Sequence, residues 1–276
     1  MQVYRGIDVG AAKPSPEEIR AAPHHLIDVA DPSEAYDLAR FLRDAAIAID
    51  DIRRRGKIPL IVGGTGLYIK GMLEGIFDVS SRDASLRRAL ERRMSEEGAP
   101  ALHRLLRHAD PAAANRLSPN DSQRIARALE VFATTGRPLS AWHGDPGARR
   151  TPARPLRLVV LVRPRAVLNR RIADRVNAML GAGWIEEVER LLRAGVADDA
   201  HCFKALGYRW IVRAVRGEIS PSDLAEPIAQ ETRQFAKRQM TWFRALPGAV
   251  WLDLEVLGEC QARRLMEEAL FPGVEM

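Results

Sequence analysis

The run Ile58-Pro59-Leu60-Ile61-Val62, followed at once by Gly63-Gly64-Thr65-Gly66, is the feature that most narrows the fold. An unbroken apolar run of this length suits a strand covered on both faces, and such strands belong to parallel sheets flanked by helices. Ahead of it, residues 34–55 carry Leu38, Phe41, Leu42, Ala45, Ile49 and Ile52 at helical spacing, and Gly56 offers a C-cap. Helix followed by buried strand predicts an α/β unit with a parallel sheet. Residues 156–162 predict a second strand and residues 250–252 a third, with helices over 166–180, 185–194, 210–216, 222–246 and 259–270. Three clear strands are few beside the ~5–6 of a mean sheet.

Between residues 83 and 136 the pattern is helical only. Asp83 and Ser85 cap a helix running to Gly98, a second covers 101–109, and a third starts near Asn120-Asp121 and ends at Gly136 with Ile125, Leu129 and Phe132 on its buried side. Residues 143–155, rich in Gly, Pro and Arg, read as a linker. The expected organisation is an α/β body over 1–79 and 152–276, interrupted by a helical insertion over 80–151, with no internal repeat.

An apolar content of 46% with 28% charged residues excludes disorder, collagen and coiled coil as descriptions of the whole chain. No apolar run approaches the ~18 residues of a membrane span. The N-terminus lacks the apolar stretch of a secretory signal. Cys202 and Cys260 cannot build a disulfide framework, so a cytoplasmic location is the expectation. The net charge is +6; Lys13, Lys57, Lys70, Lys204 and Lys237 are the only lysines, and arginine supplies the other 37 of the 42 basic residues. That bias fits either an Arg-rich genome or a phosphate-rich partner, because guanidinium forks suit phosphate.

Several segments could carry chemistry. The Gly63-to-Gly66 turn could let backbone N–H groups approach a phosphate with the Thr65 hydroxyl beside them, or could be a tight turn that needs positive φ. It is not a Walker A loop, since GxxxxGK[ST] occurs nowhere in the sequence. Lys13, after Gly6 and Gly10, could meet a phosphate or be solvated. His24 and His25 precede a strand-like Leu26-Ile27 and read as loop or packing residues. Gln123 and Arg127 lie one helical turn apart with Arg124 beside them, which suits either RNA or a solvated face. From Thr232 to Arg244, Arg233 and Lys237 share one face, Gln234, Arg238 and Thr241 the next, and Phe235 and Trp242 form an aromatic stripe. Cations interleaved with aromatics suit splayed RNA bases; the competing reading puts Phe235 and Trp242 in the core. Cys202 reads as a structural thiol rather than a nucleophile, since no His–Asp support is evident.

Taken in order, six strings resemble the tRNA dimethylallyltransferase (tRNA isopentenyltransferase) family: Met1-Gln-Val-Tyr-Arg-Gly-Ile-Asp-Val-Gly-Ala-Ala-Lys-Pro14, Pro23-His-His-Leu-Ile-Asp28, Val62-Gly-Gly-Thr-Gly-Leu-Tyr68, Asn120-Asp-Ser-Gln-Arg-Ile-Ala-Arg-Ala-Leu-Glu-Val131, Leu206-Gly-Tyr-Arg209 and Thr232-Arg-Gln-Phe-Ala-Lys-Arg-Gln-Met-Thr-Trp242. The resemblance spans nearly the whole chain. It implies a P-loop NTPase-like α/β body, a nucleotide-binding topology, with an inserted all-helical domain. It implies transfer of a dimethylallyl group from dimethylallyl diphosphate, with Mg²⁺, to N6 of the adenosine 3′-adjacent to the anticodon in tRNAs reading U-starting codons. The partners it implies are a tRNA anticodon stem-loop and dimethylallyl diphosphate, with the protein a monomer.

By position, Thr65 resembles a threonine bordering the reaction channel and Arg175 an arginine facing the diphosphate. Arg87 resembles an insertion-domain arginine that touches tRNA. Gln123, Arg124, Ile125, Ala126 and Arg127 resemble the segment against the target nucleotide. Met1, Gln2, Lys204, Gly207, Tyr208, Arg209, Arg233, Lys237 and Arg238 resemble further tRNA-facing positions. No residue resembles a metal ligand. In the family a strand, a GPTxSGK[ST] loop and a second strand ending in Asp-Ser precede the string that matches Met1-Gln2-Val3-Tyr4; this sequence contains none of them. The missing Asp resembles the general base and the missing loop the diphosphate cradle. The expectation is a fragment or mis-started form that lacks two central strands, is inactive in prenyl transfer, and leaves apolar sheet surface and strand edges exposed. A catalytically inactive tRNA-binding protein is the alternative. A small-molecule kinase is disfavoured by the absent Walker A loop.

Overall fold

The chain organises itself around helices whose ends are written into its sequence, as seen in a computed structural model that describes residues 1–75, 83–143, 145 and 156–272. Two compact units emerge, Met1–Ile69 with Pro155–Met276, and Lys70–Arg154.

In the first unit, α1 (Pro16–Ala21) starts at Ser15, whose hydroxyl accepts from Glu18 N while Glu18 reaches back to Ser15 N. This capping box, with Pro16 at the first helical position, was available in Ser-Pro-Glu-Glu and adds a helix that apolar spacing did not reveal. The helix expected over 34–55 is α2 (Leu38–Arg54), capped by Asp37 through Arg40 N. Then comes α3 (Gly66–Glu74), which this unit contains up to Ile69. Later elements of this unit are β1 (Val159–Val162), α9 (Arg165–Gly181), α10 (Trp184–Arg193), α11 (Tyr208–Val215), α12 (Ala225–Arg244), β2 (Val250–Asp253) and α13 (Leu254–Leu270). A kink at Gly258 interrupts α13, so its first turn begins earlier than the helix expected from 259.

The sheet of the described residues is β1 beside β2, parallel, with Val159 opposite Val250 and Val162 opposite Asp253. The run 58–62 is not a strand. Ile58 is 61% exposed and Val62 85%, and Leu60 and Ile61 are exposed with them. Strand geometry persists only where a neighbour takes up the backbone N–H and C=O groups, and among the described residues no strand pairs with this run. Leu161, Val250 and Trp251 also keep apolar surface in solvent. The strand-like reading of Leu26-Ile27 fails for a local reason: Leu26 (φ 62) and Asp28 (φ 57) are left-handed.

The core of this unit lies under the N-terminal segment. Tyr4, Ile7, Trp184, Phe203, Tyr208 and Ile228 are all 2% exposed or less and pack together. The α10 stripe Trp184, Val188 and Leu191 and the α11 pair Ile211 and Val212 face this core, as 3.6-residue spacing requires.

The second unit is all helical: α4 (Ala84–Glu97), α5 (Ala99–Ala109), α6 (Pro111–Arg116), α7 (Ser122–Thr135) and α8 (Leu139–His143). Asp83 caps α4 by accepting from Ser85 N and Leu86 N at 2.8 and 3.1 Å. Asp121 caps α7, and Gly136 closes it in the left-handed conformation. Leu102, Leu106, Ile125 and Leu129 form its core. Asp110 is fully buried at the start of α6, accepting from Ala113 N and Ser140 N at 2.9 and 2.8 Å. Burial works to raise its pKa, yet the bonds from Ser140 and Ala113 outweigh burial and hold it below the ordinary carboxylate value. Nearly all of the linker expected over 143–155 lies outside the described residues.

Candidate nucleic-acid interface and cleft

The turn before α3 and the exposed face of α12 enclose a cleft of about 610 Å³. Thr65 and Leu67 form one wall; Phe235, Lys237, Arg238 and Trp242 form the other. The glycines of the turn are needed for close approach. None of Gly63, Gly64 and Gly66 has positive φ, so the turn reading based on φ does not hold. The carbonyl of Gly64 accepts from Gln239 Nε2 at 2.9 Å, and a Cβ on Gly64 would lie 2.0 Å from that nitrogen. A Cβ on Gly66 would lie 2.8 Å from the Trp242 ring. Helix α12 is therefore seated directly on the backbone of the turn.

The buried residues of α12 are Ile228, Ala229 and Phe243. Phe235 and Trp242 are only half-buried and line the cleft, so the core reading of both is corrected. Arg238 stands over the Phe235 ring, 5.7 Å from its centroid. The cations of the region divide into two sets. Arg233 pairs with Glu226, and Arg209 pairs with Glu231 at 3.0 Å. Lys237 and Arg238 are exposed and have no ion-pair partner among the described residues.

Arg175 is exposed on α9 and does not line the cleft. Lys204 is exposed at the end of a short 3₁₀ turn, His201–Lys204. Tyr208 and Ile125 are fully buried, so their side chains serve the two cores; Gly207 packs on Trp184. Gln123 and Arg124 are exposed on α7 with Ala126 half-buried, and Arg127 bonds Glu130 at 2.8 Å. Arg87 is exposed and pairs with Glu91 at 3.3 Å. Met1 is exposed, and Gln2 donates to the carbonyls of Ala11 and Ala12 at 3.2 and 2.8 Å.

Lys13 is neither solvated nor open to a phosphate. Its side chain is 9% exposed; the ammonium donates to Tyr4 O at 2.8 Å and Asp8 Oδ1 at 2.6 Å, and also bonds Asp28. His24 and His25 sit in an exposed loop. Among the described residues no three His, Cys, Asp or Glu side chains come together to hold a metal ion. Cys202 is fully buried and burial pushes its thiol up to about 11, whereas Cys260 is exposed. Alkylation of the native protein at neutral pH is expected to label Cys260 and spare Cys202, because the thiolate is the nucleophile. Tryptic mass mapping checks this, and equal labelling of both cysteines would contradict the buried-thiol assignment.

Sequence reasoning missed Glu187. It lies on the apolar stripe of α10, between Trp184 and Val188, and that misplaced charge was the available signal. The carboxylate is fully buried. Its Oε2 accepts from Asp8 N at 2.7 Å and Val9 N at 2.6 Å; its Oε1 accepts from Tyr208 Oη at 2.6 Å and Gly10 N at 3.4 Å.

The fold and the cleft together define a two-unit protein, an α/β body and a helical unit, whose body carries a cleft walled by aromatics and rimmed by cations. The IPP transferase family model matches residues 2–246, and the chain belongs to that family. It is 48% identical over 252 residues to the tRNA dimethylallyltransferase of Thiobacillus denitrificans, covering 91% of this chain and 80% of that one. It is 46% identical to that of Syntrophobacter fumaroxidans, covering 92% of this chain and 74% of that one. Among solved structures it is similar to the tRNA isopentenylpyrophosphate transferase of Bacillus halodurans, with a TM-score of 0.65, 35% identity, and 96% and 82% of the two chains covered. It is also similar to a eukaryotic dimethylallyltransferase acting on tRNA, with a TM-score of 0.76, 26% identity, and 97% and 69% covered.

Proposed function

We propose that this chain serves the transfer of a dimethylallyl group from dimethylallyl diphosphate to N6 of the adenosine 3′-adjacent to the anticodon, in tRNAs reading U-starting codons. The observation that carries the proposal is the cleft between the Gly64-to-Leu67 turn and α12, in a chain that belongs to the IPP transferase family. A base can be modified at N6 only after it leaves its stack, and a splayed base is held by aromatic faces. Phe235 and Trp242 supply those faces, and Lys237 and Arg238 meet the flanking phosphates. Thr65 places a hydroxyl at the mouth of the turn.

In this reading the body, with its parallel pair β1 and β2, is of the P-loop NTPase type. The helical unit meets the anticodon arm through Arg87 and the Gln123-to-Arg127 turn of α7. Mg²⁺ would arrive with the diphosphate and neutralise the leaving group's charge; among the described residues no three His, Cys, Asp or Glu side chains come together to hold it. The residues that line the cleft supply RNA capture, base positioning and exclusion of water.

That same observation favours a second reading, a tRNA-binding protein without transfer. One experiment separates the two. The chain is incubated with unmodified tRNA, Mg²⁺ and dimethylallyl diphosphate, binding is measured at two salt concentrations, and digested nucleosides are weighed by mass spectrometry. An adenosine heavier by one dimethylallyl group establishes transfer. Salt-dependent tRNA binding with no such product establishes the second reading, and the absence of both sinks the two together.

A further inference from the structure

Burying a carboxylate is costly unless every lone pair that loses water gains a donor. Glu187 meets that condition with three consecutive backbone N–H groups, of Asp8, Val9 and Gly10, and the Tyr208 hydroxyl. Three N–H groups converging on one anion form a nest, here filled by the protein's own side chain. Burial first, then the bond to Glu187, pushes the Tyr208 phenol far above its ordinary value, so it stays a donor. The loop it closes is rigid in other ways as well. A Cβ on Gly10 would fall 2.0 Å from Trp184 Nε1, Ala12 is left-handed (φ 46), and Ala12 N and Lys13 N bond back to Val9 O and Asp8 O at 2.9 and 3.1 Å.

What the loop carries is informative. Its carbonyls at Ala11 and Ala12 receive the Gln2 amide, and its Lys13 ammonium fixes Tyr4 O. The far side of the clasp, Tyr208, lies between Gly207 and Arg209. Gly207 N donates to Glu231 Oε2 at 3.4 Å and Arg209 pairs with Glu231 Oε1, which ties this segment to α12 one turn before the cleft residues. One buried carboxylate thus joins the Gln2 segment to the Gly207-to-Arg209 segment.

We infer that Glu187 is a positioning residue for the RNA cleft, acting through Tyr208 on the Gly207-to-Arg209 segment and so on α12 one turn before Phe235. This rests on the RNA reading given under Proposed function. Because the partners of Glu187 are three backbone N–H groups and a phenol, its replacement shifts the cleft wall without removing a phosphate contact.

The test is a titration of unmodified tRNA with the whole chain, wild type against Glu187→Gln and Tyr208→Phe, giving Kd, binding stoichiometry and the slope of log Kd with log salt. Glu187→Gln puts an amide N–H₂ against backbone donors; its Kd is expected to rise about tenfold, in the range for a residue acting through packed neighbours. The salt slope is expected to stay at the wild-type value. Tyr208→Phe removes one of the four donors and is expected to give a smaller rise. A merely structural role lowers the fraction of protein that binds and leaves the Kd of the remainder unchanged; that result overturns the inference, as does a changed salt slope. Should Glu187→Gln not fold, Tyr208→Phe alone decides by the same criteria. Wild-type protein that binds no tRNA overturns the RNA reading, and the inference falls with it.

Discussion

Gly207→Ala is expected to lower the stability of the body by about 2–6 kcal/mol, a large part of the ~5–15 kcal/mol a domain has to lose. Two costs add. Gly207 has φ +85, and a side chain in that region costs about 1–3 kcal/mol. Its Cβ would also lie 2.4 Å from Trp184 Cη2 and 3.1 Å from Ile228 Cγ2. The indole cannot move aside, because a Cβ on Gly10 would meet its other end at 2.0 Å and it is 2% exposed. Overpacking of a rigid core adds roughly 1–3 kcal/mol.

Gly217→Ala separates the two costs. Gly217 has φ +75 with nothing within 4 Å, so it bears only the conformational term. Thermal melts followed by circular dichroism compare the variants. Adding Trp184→Phe, which shortens the ring, is expected to recover part of the Gly207→Ala loss, a non-additivity that only neighbours in contact show. A Gly207→Ala loss no larger than that of Gly217→Ala would refute the clash.

The same residues show how far the sequence could be read. Helix ends were legible where they are local: Asp83 and Asp121 cap the next turn of their own helix and Gly136 closes one, whereas the helix expected from residue 34 starts only after its cap, Asp37. The run 58–62 was misread because strand identity depends on a neighbour, and apolar composition reports only a tendency to be covered. Lys13 was misread because its three acceptors, Tyr4 O, Asp8 and Asp28, come together only through left-handed turns at Ala12 and Asp28 that the residue types there do not announce. The aromatic stripe of α12 was legible as a stripe. Whether it faced a core or a cleft was decided by how the helix seats on the glycine turn, with Gln239 on Gly64 and Trp242 on Gly66. Spacing fixes which residues share a face, and packing decides what that face meets.

Replacing Lys237 and Arg238 together by Ala is expected to weaken tRNA binding about 25- to 60-fold at ~0.1 M salt, since each phosphate contact contributes roughly 0.7–0.9 to the slope of log K with log salt. The estimate treats both cations as phosphate contacts. That assignment follows from their exposure on the cleft wall and from the lack of an ion-pair partner among the described residues. Arg233 and Arg209 make poorer candidates, because Glu226 and Glu231 already hold them and binding would first break those pairs. Stability should change by no more than about 1 kcal/mol, the scale of the Arg238 contact with Phe235. The matched control is Arg263→Ala with Arg264→Ala on α13, two exposed cations paired with Glu267 and Glu268 at 3.7 and 3.5 Å. It removes the same formal charge, so a long-range effect of net charge would weaken binding equally in both variants. Fluorescence anisotropy at several salt concentrations gives the affinity and the slope together. A slope lower by about 1.4–1.8 in the Lys237/Arg238 variant and unchanged in the control places the RNA backbone at the cleft. Equal slopes would show that these cations never reach a phosphate, and the cleft would then lose its claim to be the RNA-binding surface.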